Sequence, residues 1–159
     1  MNYSLIRNFD IANGPGIRVT LFVSGCTNNC EGCFNKLQQD FNFGQEFVHY
    51  TENYILKLVN SNLIDGINIL GGEPLQQDDA LLNLLKRIKT ETNKSIWLWT
   101  GYKLDEIPEN KLEVLEYVDT LIDGRFELSK KDLSLKYRGS SNQNVYFKNR
   151  DGKFLYKED

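Results

Sequence analysis

The feature of the sequence that most constrains the fold is an alternation of strand and helix patterns between residues 17 and 122. β-branched and apolar residues predict strands at 17–24, 67–70, 95–99 and 120–122. Apolar residues at helical spacing predict three intervening helices, which begin near Thr51, at Asp78 or Asp79, and at Pro108. This alternation is typical of parallel βαβ units with right-handed crossovers. We therefore expect an α/β fold with a mostly parallel sheet.

The whole chain is expected to form a single domain over residues 1–159, because this is an ordinary length for one domain. Residues 127–159 are expected to be less regular, with a hairpin around a glycine turn at 149–152. A net charge of -3 argues against a nucleic-acid surface. No apolar run reaches the roughly 18 residues of a membrane span and no signal peptide is visible, so we expect a cytoplasmic protein without membrane contact.

Four unusual segments each follow one of the predicted strands directly. They are the cysteine loop at 26–33, Gly71-Gly72-Glu73-Pro74, Thr100-Gly101-Tyr102 and Asp123-Gly124-Arg125. In parallel α/β folds the carboxyl ends of the strands lie along one rim, where ligands bind. The four segments are therefore expected to form a single site.

All three cysteines of the chain, Cys26, Cys30 and Cys33, lie in the cysteine loop. An odd number of thiols cannot pair completely into disulfides, and a closed structural zinc site needs four ligands. Three thiolates instead leave one coordination position of an inorganic centre open. Two other interpretations are a zinc site completed by a carboxylate or by His49, the only histidine, and three inert thiols.

The C-x3-C-x2-C spacing of these cysteines resembles that of the radical S-adenosylmethionine (radical SAM) enzymes. The segment 71–74 resembles the stretch that bonds the cofactor's amino group in that family, and Asp123-Gly124-Arg125 resembles an Asp-x-Lys element of related activases, with arginine in place of lysine. Four further stretches resemble the family of small glycyl-radical activases that activate anaerobic ribonucleoside-triphosphate reductases. These stretches are residues 13–16, 21–26, 99–106 and 138–143.

The resemblance implies a fold and a set of ligands. The fold is an incomplete, open (β/α) barrel of the radical SAM type. Cys26, Cys30 and Cys33 hold a [4Fe-4S] cluster in this reading, and the fourth iron binds S-adenosylmethionine. The residues expected at that cofactor are Gly71, Gly72, Glu73, Pro74, Thr100, Asp123, Arg125 and Phe34.

The resemblance also implies an activity and its partners. A flavodoxin- or ferredoxin-type donor reduces the cluster, S-adenosylmethionine is cleaved to methionine and a 5'-deoxyadenosyl radical, and the radical takes a hydrogen atom from a glycine of the anaerobic ribonucleoside-triphosphate reductase. The cofactor carries this chemistry, so no side chain needs to act as acid or base. We expect Gly14, Arg138 and Ser140 to contact the reductase; the alternative is that their segments are turns supporting the barrel edge.

Two other functions stay open. A different radical SAM enzyme would act on another protein or on a small molecule, and an added reductase would then gain no glycyl radical. A non-enzymatic iron-sulfur or zinc module would bind its metal without responding to S-adenosylmethionine. Both alternatives can be tested by spectroscopy on the reconstituted protein.

Overall fold

Eight strands form one sheet in residues 1–157, the part of the chain that the computed structural model describes. The strands are β1 (Asn2–Asp10), β2 (Arg18–Ser24), β3 (Gln45–Glu46), β4 (Gly66–Gly71), β5 (Ser95–Trp99), β6 (Thr120–Asp123), β7 (Asn144–Lys148) and β8 (Phe154–Tyr156). Their order across the sheet is β3-β1-β2-β4-β5-β6-β7-β8. The α/β class expected from the sequence is confirmed.

The sheet is parallel at its centre and antiparallel at its edges. Strands β2, β4, β5 and β6 pair in parallel. The pairings β3-β1, β1-β2, β6-β7 and β7-β8 are antiparallel, so four of the seven pairings within residues 1–157 are antiparallel. The expectation of a mostly parallel, incomplete (β/α) barrel of the radical SAM type is therefore wrong, and the fold is an open mixed sheet. The cause is that β1 and the β7-β8 hairpin add antiparallel neighbours to the four predicted strands.

Helices cover one face of this sheet. They are α1 (His49–Val59), α2 (Asp79–Glu91) and α3 (Leu112–Glu116). Their apolar residues pack in one core with alternate residues of the central strands, among them Leu21, Ile69 and Leu98, which are fully buried. Because side chains alternate along a strand, the residues between these point to the other face of the sheet. Phe22, Leu70 and Trp99 belong to that second face.

The helix ends agree only partly with the sequence prediction. Asp78 caps α2 as expected, since its carboxylate accepts a hydrogen bond of 3.0 Å from the Ala80 N–H. The third helix is shorter than expected, because a 3-10 turn at Glu109–Lys111 follows Pro108 and α3 begins only at Leu112. The C-terminal segment expected at 127–159 is irregular up to residue 143, and its last two residues lie outside the described part of the chain.

A buried polar network lies on the second face of the sheet, at the amino ends of the central strands. The guanidinium of Arg18 donates to Asn68 Oδ1 (2.6 Å) and lies over the Trp97 ring, 5.4 Å from its centroid. Burial lowers the pKa of Arg18 to about 10. The carboxylate of Asp10 accepts from the Thr20 hydroxyl (2.6 Å). Burial raises the pKa of Asp10, but its hydrogen bonds outweigh that effect, and the pKa lies below its usual value.

The described residues 1–157 contain no helix of the length and apolarity that crossing a bilayer requires.

Candidate functional site

A cavity of about 520 Å³ lies on the face of the sheet opposite the helices, at the carboxyl ends of the parallel strands. Phe22, Leu70 and Trp99 line its wall from the second face. The loops that follow β2, β4, β5 and β6 form its rim, since they contribute Cys26, Gly72, Thr100 and Arg125 among other residues. The parallel centre of the sheet therefore brings the four unusual sequence segments together.

The three cysteines all line this cavity. Each is half-buried and carries a free thiol. The loop is held at its start by two backbone hydrogen bonds, from the Gly25 N–H to the Gln38 carbonyl (2.7 Å) and from the Cys26 N–H to the Gln39 carbonyl (3.1 Å). Burial raises the pKa of the Cys26 and Cys30 thiols and so favours the protonated forms of these two side chains.

The donor set of the cavity is three thiols, the protein ligands that iron-sulfur clusters usually take. Within residues 1–157, no group of three or more histidine, cysteine or acidic side chains is arranged around one ion position. His49, the ligand considered for zinc, is exposed at the start of α1 and contacts Glu52 (3.2 Å). Each cysteine sulfur that holds a four-iron cluster binds a different iron, so the three thiols need to face one cavity but need not surround one ion. Their shared cavity meets that requirement.

Glu73 connects three strand ends through its carboxylate. Oε1 accepts from the Thr100 hydroxyl (2.7 Å) and from the Leu75 N–H (3.0 Å). Oε2 accepts from the Gly101 N–H (2.7 Å) and from the Asn28 side-chain amide (3.1 Å). Burial raises the pKa of the Glu73 carboxyl, and the four donors oppose this rise. Both oxygens are thus engaged by the protein itself, and one of their partners belongs to the cysteine loop.

The glycines before Glu73 allow close contact between backbones. A Cβ atom added to Gly72 would lie 2.5 Å from the Gly25 carbonyl oxygen, which leaves no room for a side chain. The Gly72 N–H donates to the Val23 carbonyl (2.7 Å), and the Glu73 N–H donates to the Gly25 carbonyl (2.8 Å). The loop after β4 therefore lies directly against the start of the cysteine loop.

Two of the expected cofactor residues do not line the cavity. Pro74 is buried at the start of a short 3-10 helix. Asp123 is also buried, and its carboxylate accepts from the Leu104 N–H (2.8 Å) and from the Asn144 side chain (2.9 Å). In this structure Asp123 connects β6 to the loop after β5 and to β7.

Phe34 and Arg125 lie at the mouth of the cavity. The Phe34 ring is exposed and packs on Phe126, with 5.0 Å between the ring centroids. Arg125 lines the cavity near Cys30, and its charge opposes the rise of the Cys30 pKa. A cation beside a thiolate stabilises negative charge on the sulfur.

The three residues expected to contact a reductase occupy different environments. Gly14 has a φ of 87° and packs on Arg18. Arg138 lines the cavity and donates to the Gln143 carbonyl (3.0 Å). Ser140 is fully buried, and its hydroxyl accepts from the Glu127 N–H (3.2 Å).

Comparison with known proteins adds the observation that decides the family. A family model described as a 4Fe-4S single cluster domain matches residues 12–146. The anaerobic ribonucleoside-triphosphate reductase-activating protein of Escherichia coli (strain K12) is 45% identical over 151 residues, which cover 92% of this chain and 98% of that protein. The chain belongs to this family of activating proteins.

Similarity of this extent recurs in other members of the activating-protein family. The protein of that name from Vibrio cholerae serotype O1 is 39% identical over 151 residues, covering 92% of this chain and 97% of its own. The one from Enterobacteria phage T4 is 42% identical over 157 residues, covering 96% and 97%. The sequence prediction of an activase with a 4Fe-4S cluster domain is therefore confirmed.

Several residues of the cavity were not expected from the sequence. Asn28 contacts Glu73, while Arg7 and Tyr137 line the wall. Tyr137 has a φ of 64°, and its carbonyl accepts from Trp99 Nε1 (2.7 Å). The position of Asn28 between Cys26 and Cys30 is enough to predict from the sequence that it lies near the site. Arg7 reaches the cavity because β1 pairs with β2, and Tyr137 reaches it because the chain turns back towards the sheet. No local sequence pattern predicts either position.

Proposed function

We propose that this chain generates a glycyl radical on an anaerobic ribonucleoside-triphosphate reductase by reductive cleavage of S-adenosylmethionine at a [4Fe-4S] cluster. Membership of the activating-protein family supports the partner, and the family model supports the cluster. The observation that carries the proposal for the site is that three free thiols and the loops after β4, β5 and β6 line one cavity.

We propose that Cys26, Cys30 and Cys33 bind the cluster and leave one iron for the cofactor. Thiolates are the usual protein ligands of such clusters. The rest of the cavity lies beside these cysteines and is bordered by Gly71 and Gly72, whose missing side chains let the loop after β4 pack directly on the backbone at Val23 and Gly25. A cavity of about 520 Å³ is within the size range of small-molecule sites.

The other expected cofactor residues divide into two groups in this proposal. Arg125 and Phe34 face the cavity and contact the cofactor directly. Glu73 and Thr100 line it too, but they bond each other, so they position the loops around the cofactor. Pro74 and Asp123 lie outside the lining and support those loops. The positioning role of Glu73 is consistent with its hydrogen bonds, which join the cysteine loop to the loop after β5.

When bound, the reduced cluster and S-adenosylmethionine supply the radical that removes a hydrogen atom from the reductase glycine. The protein contributes ligation, orientation and exclusion of water. No paired nucleophile and base is needed, and His49, the only histidine, lies at the exposed start of α1. A flavodoxin- or ferredoxin-type electron donor and a cytoplasmic location complete the proposal.

The binding of cluster and cofactor can be tested on the chain alone. After anaerobic reconstitution and reduction, electron paramagnetic resonance should show an iron-sulfur signal that changes when S-adenosylmethionine is added, and methionine should accumulate. 5'-Methylthioadenosine lacks the amino and carboxylate groups of S-adenosylmethionine, through which we propose that the cofactor would bind the open iron, and it should leave the signal unchanged. Zinc without iron, or a signal insensitive to S-adenosylmethionine, would contradict the proposal.

A further inference from the structure

Most of the outer edge of β1 has no neighbouring strand within residues 1–157. On this side β1 pairs with β3 only at Asn2 and Tyr3. On its other side β1 pairs with β2 as far as Asp10. Residues 5–10 thus leave an edge of about 20 Å, calculated at roughly 3.4 Å per residue, along which no strand of residues 1–157 is paired. We call residues 5–10 the open edge.

The side chains of the open edge do not protect it from pairing. Leu5 is 45% exposed and Phe9 is 59% exposed. Natural edge strands are usually kept single by lysines, prolines, β-bulges or short length. Residues 5–10 contain no lysine or proline, and the two register shifts of β1 lie between Tyr3 and Leu5 and between Arg7 and Asp10. Arg7 is the one basic residue of the open edge, and its guanidinium lies over the Phe22 ring, 5.3 Å from the centroid. The Arg7 side chain therefore points towards β2 and does not extend outward from the open edge.

The opposite edge of the described sheet provides a contrast. Its strand, β8, has only three residues, Phe154–Tyr156. Lys153 precedes β8 and Lys157 follows it. Short length and flanking lysines are the common protections of an edge. The two edges of the sheet thus differ in the features that prevent an edge strand from pairing with another chain.

The open edge is continuous with the candidate active site. Arg7, within the open edge, and Ala12 and Asn13, just beyond it, line the same cavity as the cysteines. The Asn13 side chain donates to Asp10 (2.8 Å), which holds the loop after β1 against the sheet. Ile11, between the open edge and this loop, is 78% exposed. A chain lying along the open edge would therefore lead into the cavity.

We propose that an extended segment of the reductase, containing the glycine that becomes the radical, binds by adding a strand to the open edge of β1. The proposal rests on the proposed function, because it assumes that the reductase glycine must reach the cavity. Glycine has no side chain for a pocket to hold, so its neighbours must be recognised largely through the backbone. An unpaired edge provides backbone hydrogen bonds for this purpose, and apolar neighbours such as Leu5 and Phe9 add contact area.

Amide hydrogen exchange on the wild-type holoprotein tests the proposal without a mutation. Adding the reductase anaerobically should slow exchange in residues 5–10, because outward-facing N–H groups gain acceptors. The β8 edge should be unchanged. Unchanged exchange in residues 5–10 in a complex that does form would overturn the proposal. Protection of these residues without reductase, accompanied by a dimer in light scattering, would overturn it as well, because a second copy would then occupy the edge.

A matched pair of variants tests the same surface by function. Leu5→Lys combined with Phe9→Lys should weaken reductase binding and glycyl-radical formation at limiting protein by roughly tenfold, equivalent to about 1.4 kcal/mol. Leu155→Lys combined with Tyr156→Lys adds the same two charges to the opposite edge, where these side chains are 55% and 52% exposed, and should bind as the wild type does. Equal binding by both variants would overturn the proposal.

Cleavage of S-adenosylmethionine without reductase separates this proposal from the proposed function. Leu5 and Phe9 do not line the cavity, so the double variant should cleave the cofactor at the wild-type rate. Wild-type protein that binds reductase without forming the radical would count against the proposed function and leave the docking prediction to be judged by exchange and binding alone.

Discussion

Cys30→Ala is expected to reduce bound iron from the four atoms of a [4Fe-4S] cluster to background and to abolish cofactor cleavage. Cys26, Cys30 and Cys33 are the only thiols in the chain, and all three line one cavity. Removing one leaves two protein ligands, which are too few to hold a cluster that already has one iron without a protein ligand. Iron analysis and the methionine assay on anaerobically reconstituted protein measure both effects.

Glu31→Gln is the matched control for the cysteine variant. Glu31 lies between Cys30 and Cys33 but is exposed. Its neutralisation should leave iron content and cleavage close to those of the wild type. Circular dichroism of the unreconstituted proteins should be the same for both variants, because the thiols contribute little to the core. A Cys30→Ala protein with a full complement of iron would contradict the assignment of Cys30 as a ligand.

Glu73→Gln is expected to destabilise the protein by about 2–4 kcal/mol, because a buried amide cannot accept all four hydrogen bonds of the carboxylate. Its NH2 group would face donors such as the Gly101 N–H and the Asn28 amide. For a chain of this length that corresponds to a fall in Tm of roughly 5–15 °C. Thermal unfolding of the iron-free protein measures the effect without interference from the cluster.

The same substitution should also affect the cysteine loop. Asn28 lies between Cys26 and Cys30, and its bond to Glu73 holds the loop against the end of β4. We therefore expect slower and less complete iron incorporation in Glu73→Gln. Glu106→Gln, on an exposed glutamate, should change neither Tm nor iron content. A Glu73→Gln protein with a wild-type Tm would show that the four hydrogen bonds contribute little net stability.

The centre of the fold could be predicted from the sequence because its signals are local. β-branched runs marked β2, β4, β5 and β6, and residues 95–99 were placed with their observed limits. Because parallel strands place their carboxyl ends along one rim, the strand pattern predicts the convergence of the cysteine loop, Gly72, Thr100 and Arg125. This part of the site can therefore be predicted without knowing any side-chain contact.

The glycine turn at 149–152 correctly predicts the β7-β8 hairpin, but the pairing of the edge strands with the central strands could not be predicted in the same way. Antiparallel pairing of β1 with β2 joins residues 2–10 to residues 18–24, and the register shifts twice along the strand. Such pairing depends on contacts distant in sequence. The hydrogen bonds of Glu73, Asp123 and Ser140 also join residues that are distant in sequence, so no local pattern predicts them. Polar residues expected to face a ligand or partner were therefore indistinguishable, in the sequence, from those that hold loops together.

The most direct test of the proposed function is glycyl-radical formation in the partner. The reconstituted protein is mixed anaerobically with an anaerobic ribonucleoside-triphosphate reductase, a reductant and S-adenosylmethionine, and the mixture is examined by electron paramagnetic resonance. We predict a glycyl-radical signal on the reductase that requires S-adenosylmethionine and is absent with Cys30→Ala. Formation of methionine without a radical on the reductase would contradict this account and indicate a different substrate.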